Sequence, residues 1–231
     1  MNSHHTRPCS SPLQRRAFTL AEILVTLVII GVVAALTISA LINTYVESST
    51  VAKVKKGLSI LGQAKKLAET QNGPIEGWDF DAVQSEANNI KFFNYLKPYL
   101  SVARDCGAGQ DCYKGQVYTL NGVFHTKEYA TNPNYYKFAL ADGSVMWFST
   151  GNGDGVGKCS ASQGPHTNVC AMFQYDVNGD KAPNKFGRDI FLYIFTKDAV
   201  YPYAINNCRK TDYGSGCAAY IVKNSNMNYL H

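Results

Sequence analysis

From Ile23 to Ile42 the chain runs for twenty residues without a charge, and only Thr26, Thr37 and Ser39 interrupt the apolar side chains. At about 1.5 Å of rise per helical residue, that length crosses a bilayer core of roughly 30 Å. The pattern then changes. Val51, Val54, Leu58, Leu61 and Ala68 recur at three- and four-residue spacing, while Lys53, Lys55, Lys56, Lys65 and Lys66 fall largely off that stripe. This is a one-faced helix that needs a partner surface. Asn72-Gly73-Pro74 ends it, because glycine suits a left-handed cap and proline cannot continue the ladder. The pattern predicts one helix over 18–72, with 18–42 as its membrane part. A connector follows over 75–105, anchored by Trp78, Phe80, Phe92, Phe93, Tyr95, Leu96, Tyr99 and Leu100, with one or two short helices between Asp81 and Tyr99. After it the period is that of strands. Val117–Leu120 and Val123–Phe124 flank Asn121-Gly122, and Tyr135–Ala141 and Ser144–Phe148 flank Asp142-Gly143, a dipeptide suited to a tight hairpin turn. Ala171–Val177, Ile190–Thr196 and Ala199–Ile205 read as further strands. The expected fold class is α+β: a long N-terminal helix packed on an antiparallel sheet of about four to six strands.

The residues just before the apolar run are Arg15-Arg16-Ala17-Phe18-Thr19-Leu20-Ala21-Glu22. The arginines place the N-terminus on the cytoplasmic side and the bulk of the chain outside. Glu22 is a carboxylate at the mouth of a membrane-length segment, which makes it a functional hypothesis by default. A carboxylate resting at headgroup level with no partner is the simpler alternative. An ordinary secretory signal has a shorter apolar region, with its cleavage site after that region. A plain signal anchor accounts for the arginines and the apolar length but not for Phe-Thr-Leu-x-Glu.

These residues resemble the prepilin N-terminus of type IV pilins, type II secretion pseudopilins and competence pilins. The matching positions are Ala17 before the cut, Phe18 after it, Thr19-Leu20, and Glu22 as fifth residue of the mature chain. Two positions depart from the usual pattern. Ala17 stands where glycine is commoner, and Ser39 stands where many relatives carry proline. The resemblance implies a leader (1–17), a long helix (18–72) and a globular head (73–231). It implies cleavage between Ala17 and Phe18 by a prepilin peptidase, N-methylation of Phe18, and insertion in the inner membrane with the head extracytoplasmic. Assembly would follow, with other pilin or pseudopilin subunits on an inner-membrane platform, into a type II secretion pseudopilus or a type IV pilus-like filament. In that setting Glu22 would meet the new amine of a neighbouring subunit. The competing class is a membrane-anchored binding module that never polymerises. It predicts an unprocessed N-terminus and tolerance of Glu22→Ala.

Charge and cysteines refine this reading. The leader holds Arg7, Arg15 and Arg16 and no acid, so the rest of the chain has 19 basic and 17 acidic residues. That balance argues against nucleic acid as a partner. Cys9 lies in the leader. The other six cysteines, Cys106, Cys112, Cys159, Cys170, Cys208 and Cys217, form three close pairs beyond a translocated segment. They read as disulfides rather than a metal site, since no C-x-x-C spacing occurs. Proximity suggests sequential pairing, one of about fifteen ways to join six cysteines.

Asp176, Asn178, Asp180 and Asp189 are the candidate metal ligands, because oxygen donors at alternate positions of a turn can hold Ca²⁺. The stretch from Asp176 to Asp189 resembles the Asp-x-Asn-Gly…Pro-Asn…Gly-x-Asp loop that joins two head strands in many pseudopilin-like proteins. It fails the EF-hand pattern, since glycine is misplaced and Gly187 falls where the bidentate acid belongs. A turn whose aspartates accept backbone N–H groups explains the same residues and is the preferred reading. His125 and His166 have no nucleophile motif nearby, and there is no P-loop, nucleophile elbow or H-E-x-x-H. No catalytic set emerges, so the expected role is structural and not enzymatic.

Overall fold

A computed structural model describes residues 18–81, 83–108, 112–126, 128–151, 158–205 and 208–231. Residues 1–17, the expected leader, lie outside the described residues, Ala17 among them. The chain divides between Tyr45 and Val46 into two compact units. Helix α1, Leu20–Asn72, contributes to both.

In the first unit, the part of α1 up to Tyr45 shows its apolar side chains on every side. Leu24, Val28, Ile30, Leu36 and Leu41 are all exposed. Among the described residues α1 is the one helix long and apolar enough to cross a membrane. Two of its threonines bond back to the helix itself. The Thr26 hydroxyl donates to Ile23 O at 2.9 Å and the Thr37 hydroxyl to Val33 O at 2.9 Å. No hydroxyl proton of these two threonines is then left to hydrogen-bond in hydrocarbon.

The second unit takes the remainder of α1 and builds a head on it. After α1 come α2 (Glu86–Leu96), β1 (Val102–Gly107), β2 (Val117–Tyr118), β3 (Phe124–Thr126) and a single turn α3 (Glu128–Thr131). Then follow β4 (Tyr136–Leu140), β5 (Val145–Thr150), β6 (Ala161–Gln163), β7 (His166–Asp176), β8 (Ile190–Thr196), β9 (Val200–Pro202) and α4 (Cys217–Asn224). Ser85 caps α2, its hydroxyl accepting from Asn88 N. The main sheet runs β1-β4-β5-β7-β8-β9, with β6 also on β7, and every pairing is antiparallel. β2 and β3 form a separate ribbon.

The α+β architecture with a long N-terminal helix and an antiparallel sheet is therefore the pilin-like one expected. The sheet is larger than the four to six strands anticipated: it has seven. β1 starts within the stretch read as connector, and β6 lies in a segment for which no strand was expected. The expected strand Ala199–Ile205 shortens to β9, and the cysteine-bearing tail folds into α4.

Alternation along the strands sends side chains into two cores. Phe191, Tyr193 and Phe195 of β8 join Phe173 and Tyr175 of β7 under Val54, Leu61, Ala64 and Ala68 of α1. Phe92 and Phe93 of α2 complete this aromatic layer, with Phe92 edge-on to Phe195 at 5.3 Å. On the other face Ile190, Leu192 and Ile194 join Trp147, Tyr113, Tyr129 and Phe186. Helix and sheet approach closely at Gly57, where a Cβ would lie 2.8 Å from the Tyr175 ring. There Tyr193 OH donates to Val54 O at 2.6 Å. Lys65, almost wholly buried, is satisfied by Glu69 at 2.6 Å and by Lys197 O at 2.9 Å.

Candidate functional site

The first constellation sits where α1 begins. Phe18 is exposed. Thr19 and Glu22 bond reciprocally: Glu22 N donates to Thr19 Oγ1 at 3.2 Å, while Glu22 Oε2 accepts from Thr19 N at 2.8 Å and from Thr19 Oγ1 at 2.9 Å. This is a capping box, in which residue and carboxylate three positions apart satisfy each other's orphan N–H groups. The carboxylate also lies in the first turn, where the helix dipole favours a negative charge. The sequence carries the signal plainly as Thr-x-x-Glu, whereas the two readings of Glu22 above, a neighbour's amine or no partner at headgroup level, both pass over it. Its first partner lies in its own chain. Both capping residues follow the expected cut, so the box survives removal of the leader. Ala17, the residue before that cut, is outside the described residues.

The second constellation is the β7–β8 turn. Asp176 ends β7 and is fully buried. Asp189, immediately before β8, is buried, and Asn178 is partly so. Asp176 Oδ1 accepts from Asn178 N at 3.1 Å. Asp189 folds back along the turn, accepting from Lys185 N at 2.6 Å, Asn184 N at 2.9 Å and Asn178 Nδ2 at 3.4 Å. Asp180, exposed, accepts from Lys114 N at 3.1 Å through Oδ2. Burial, joined by repulsion from Asp189, pushes the Asp176 carboxyl well above its ordinary range. Burial also raises Asp189, to about 6, against the pull of its backbone N–H donors. Aspartates that accept backbone N–H groups are what the turn reading expects. The buried Asn184 belongs to the same cluster, and sequence reasoning left it out by counting mainly carboxylates.

The cysteines form disulfides Cys106–Cys112, Cys159–Cys170 and Cys208–Cys217. They tie β1, β7 and the start of α4 to neighbouring loops. The two histidines lie in aromatic surroundings. His125 Nδ1 is 2.6 Å from Tyr213 OH, and the His166 ring stacks near Tyr201 at 5.5 Å between centroids. No nucleophile motif accompanies either ring in the sequence.

Compared with known families, residues 13–38 match the prokaryotic N-terminal methylation motif, the signature of type IV pilins and pseudopilins. The match spans Arg15-Arg16, Ala17, the capping box and most of the apolar run. No curated protein and no solved structure matches the chain.

Proposed function

With the methylation motif as premise, we propose that this chain is a structural pilin or pseudopilin subunit. A prepilin peptidase would cut it between Ala17 and Phe18, and the new Phe18 amine would be methylated. The subunit would be held in the inner membrane by α1 with its head outside the cytoplasm. It would then join others of its kind in a secretion pseudopilus or pilus-like filament. The observation that carries this reading is the junction itself: a matched motif, a capping carboxylate and an apolar helix surface left exposed to Tyr45. Such a surface is stable only in lipid or against other helices, and burying many together drives association. On assembly, Glu22 would trade its Thr19 bonds for the Phe18 amine of a neighbour, placing a charge pair where an isolated amine would be costly.

The test is intact mass measurement of the protein extracted from membranes of a host with a working prepilin peptidase. A chain beginning at N-methylated Phe18 is expected. A chain retaining Arg15-Arg16 would overturn the proposal and favour the anchored module that does not polymerise. Glu22→Ala is expected to leave anchoring intact and to remove the protein from sheared filament fractions.

A further inference from the structure

The face of the sheet turned away from α1 is not packed shut. It carries a cavity of about 340 Å³. Three neighbouring strands supply the sheet side of it: Ser149 of β5, Met172 and Gln174 of β7, and Leu192 of β8. Ser149 pairs with Met172 and Gln174 with Leu192, so these four side chains form one patch. Aromatic groups make most of the remaining wall, from His125, Tyr129, Tyr135, Phe186, Tyr203 and Tyr213. Gln84, Gln163 and Ser215 add amide and hydroxyl groups. Among the described residues no Asp, Glu, Lys or Arg lines the cavity.

The rings hold one another in place. Tyr213 stacks on Phe186 with 5.4 Å between centroids, and its hydroxyl lies 2.6 Å from His125 Nδ1. His125 Nε2 is 3.2 Å from Tyr129 OH, and Tyr129 stands edge-on to Tyr135 at 4.8 Å. A wall fixed in this way loses little freedom when a ligand meets it. Gln174 is the exception. It is 4% exposed, yet its Oε1 is buried with no hydrogen-bond partner. Buried acceptors are normally paired, because an unpaired one has given up water for nothing. The same face carries Trp147, Leu192 and Ile194, and a leucine at position 174 would continue that core without this cost. The glutamine keeps an acceptor turned to a cavity that is already lined by rings.

We propose that this cavity binds a neutral cyclic saccharide. A sugar ring offers C–H faces that rest on aromatic rings, and a rim of hydroxyls that each donate and accept. Glutamine side chains answer such hydroxyls in both senses, through a carbonyl acceptor and an amide donor. Gln174 Oε1 would take one hydroxyl proton, with Gln84, Gln163 and the tyrosine hydroxyls around the rim. The uncharged lining selects against sugars bearing carboxylate or phosphate, which would enter without a cation to meet them. The volume lies at the lower end of the range of about 300–1,000 Å³ for small-molecule sites, which suits a small ring system rather than a length of peptide. The site lies in the head and draws nothing from the N-terminal motif.

The test uses the full chain in a detergent without a sugar headgroup, since a glycoside detergent would occupy the cavity. Trp147, one of two tryptophans, has its ring 5.3 Å from that of Tyr129, so its emission reports on the wall. Glucose, galactose, N-acetylglucosamine and their disaccharides are titrated to millimolar concentration. Sorbitol serves as an open-chain polyol, sialic acid as a charged sugar and a proline-rich peptide as a rival aromatic-seeking ligand. A saturable change in emission with at least one neutral cyclic sugar is expected, and none with sorbitol or sialic acid. Gln174→Leu is expected to weaken that sugar at least tenfold while leaving the urea midpoint of the sugar-free chain unchanged or raised, an outcome that a purely structural glutamine would not give. Tyr213→Ala, at an exposed position, is expected to weaken binding as well. No saturable response to any neutral cyclic sugar, an equal response to sorbitol or sialic acid, tighter binding of the peptide, or wild-type sugar affinity in Gln174→Leu would overturn the assignment.

Discussion

Lys137 is a fully buried lysine on β4, its ammonium donating to Tyr135 O at 2.8 Å. Burial pushes its pKa down to about 8, and only partly does Glu86 pull it back. Below pH 8 the ammonium is charged in both folded and unfolded chains, and its desolvation cost is fully present. Between about pH 8 and 10.4 the folded chain has lost a proton that the unfolded chain keeps, so stability rises with pH in that window. Lys137→Met is expected to remove this rise, a difference of about 2 kcal/mol between wild type and variant that shrinks from pH 7.5 to pH 10. Urea unfolding at the two pH values measures it. The burial of Lys137 was not legible in the sequence. In Tyr136-Lys137-Phe138 the alternation reads as a polar side chain facing water. It faces the sheet's second core instead, which long-range folding of residues 112–129 brings into place and no local pattern announces. Glu22 shows the opposite case, since Thr-x-x-Glu was in plain view but its local meaning was eclipsed by a larger one.

Among the elements, α1 was the most legible, because its apolar run, stripe and Gly73-Pro74 stop each act within a few residues. Its register against the sheet was not. That register turns on Gly57, where Tyr175 and Tyr193 leave no room for a side chain. Gly57→Ala is expected to destabilise the head by about 1–3 kcal/mol through overpacking, although alanine is the better helix former. Gly62→Ala, with nothing within 4 Å of its Cβ, is expected to stabilise by about 0.5–1 kcal/mol. Unfolding of the two variants side by side separates contact from propensity. The strands divide similarly. Ile190–Thr196 was read residue for residue because seven consecutive strand formers are buried on two faces. β1 was missed because Ala-Arg-Asp at its centre is exposed and gives no alternation. β6, three residues long, is too short for any period to show, whereas β9 lies inside the longer expected strand Ala199–Ile205. α4 was missed because its buried face is only Cys217, Ala218 and Ile221.

At the scale of the molecule, the two units answer to different solvents. The head is soluble-protein architecture with staples, and the first part of α1 is not. The three disulfides close loops six, eleven and nine residues long, each worth about 2–3 kcal/mol by loop-closure entropy. Replacing Cys159 and Cys170 together by serine is expected to cost the head that amount, read as a lower urea midpoint for the full chain in detergent. The same loss should appear when wild type is reduced.

The capping box has a consequence for supply. A carboxylate already bonded to its own chain does not force a lone subunit out of the bilayer. If the proposed function holds, solitary subunits would accumulate as a reservoir. Joining a neighbour becomes an exchange of one bond for another rather than the rescue of a stranded charge. On that reading, a subunit released from the filament would find its Thr19 bonds again and could be used a second time.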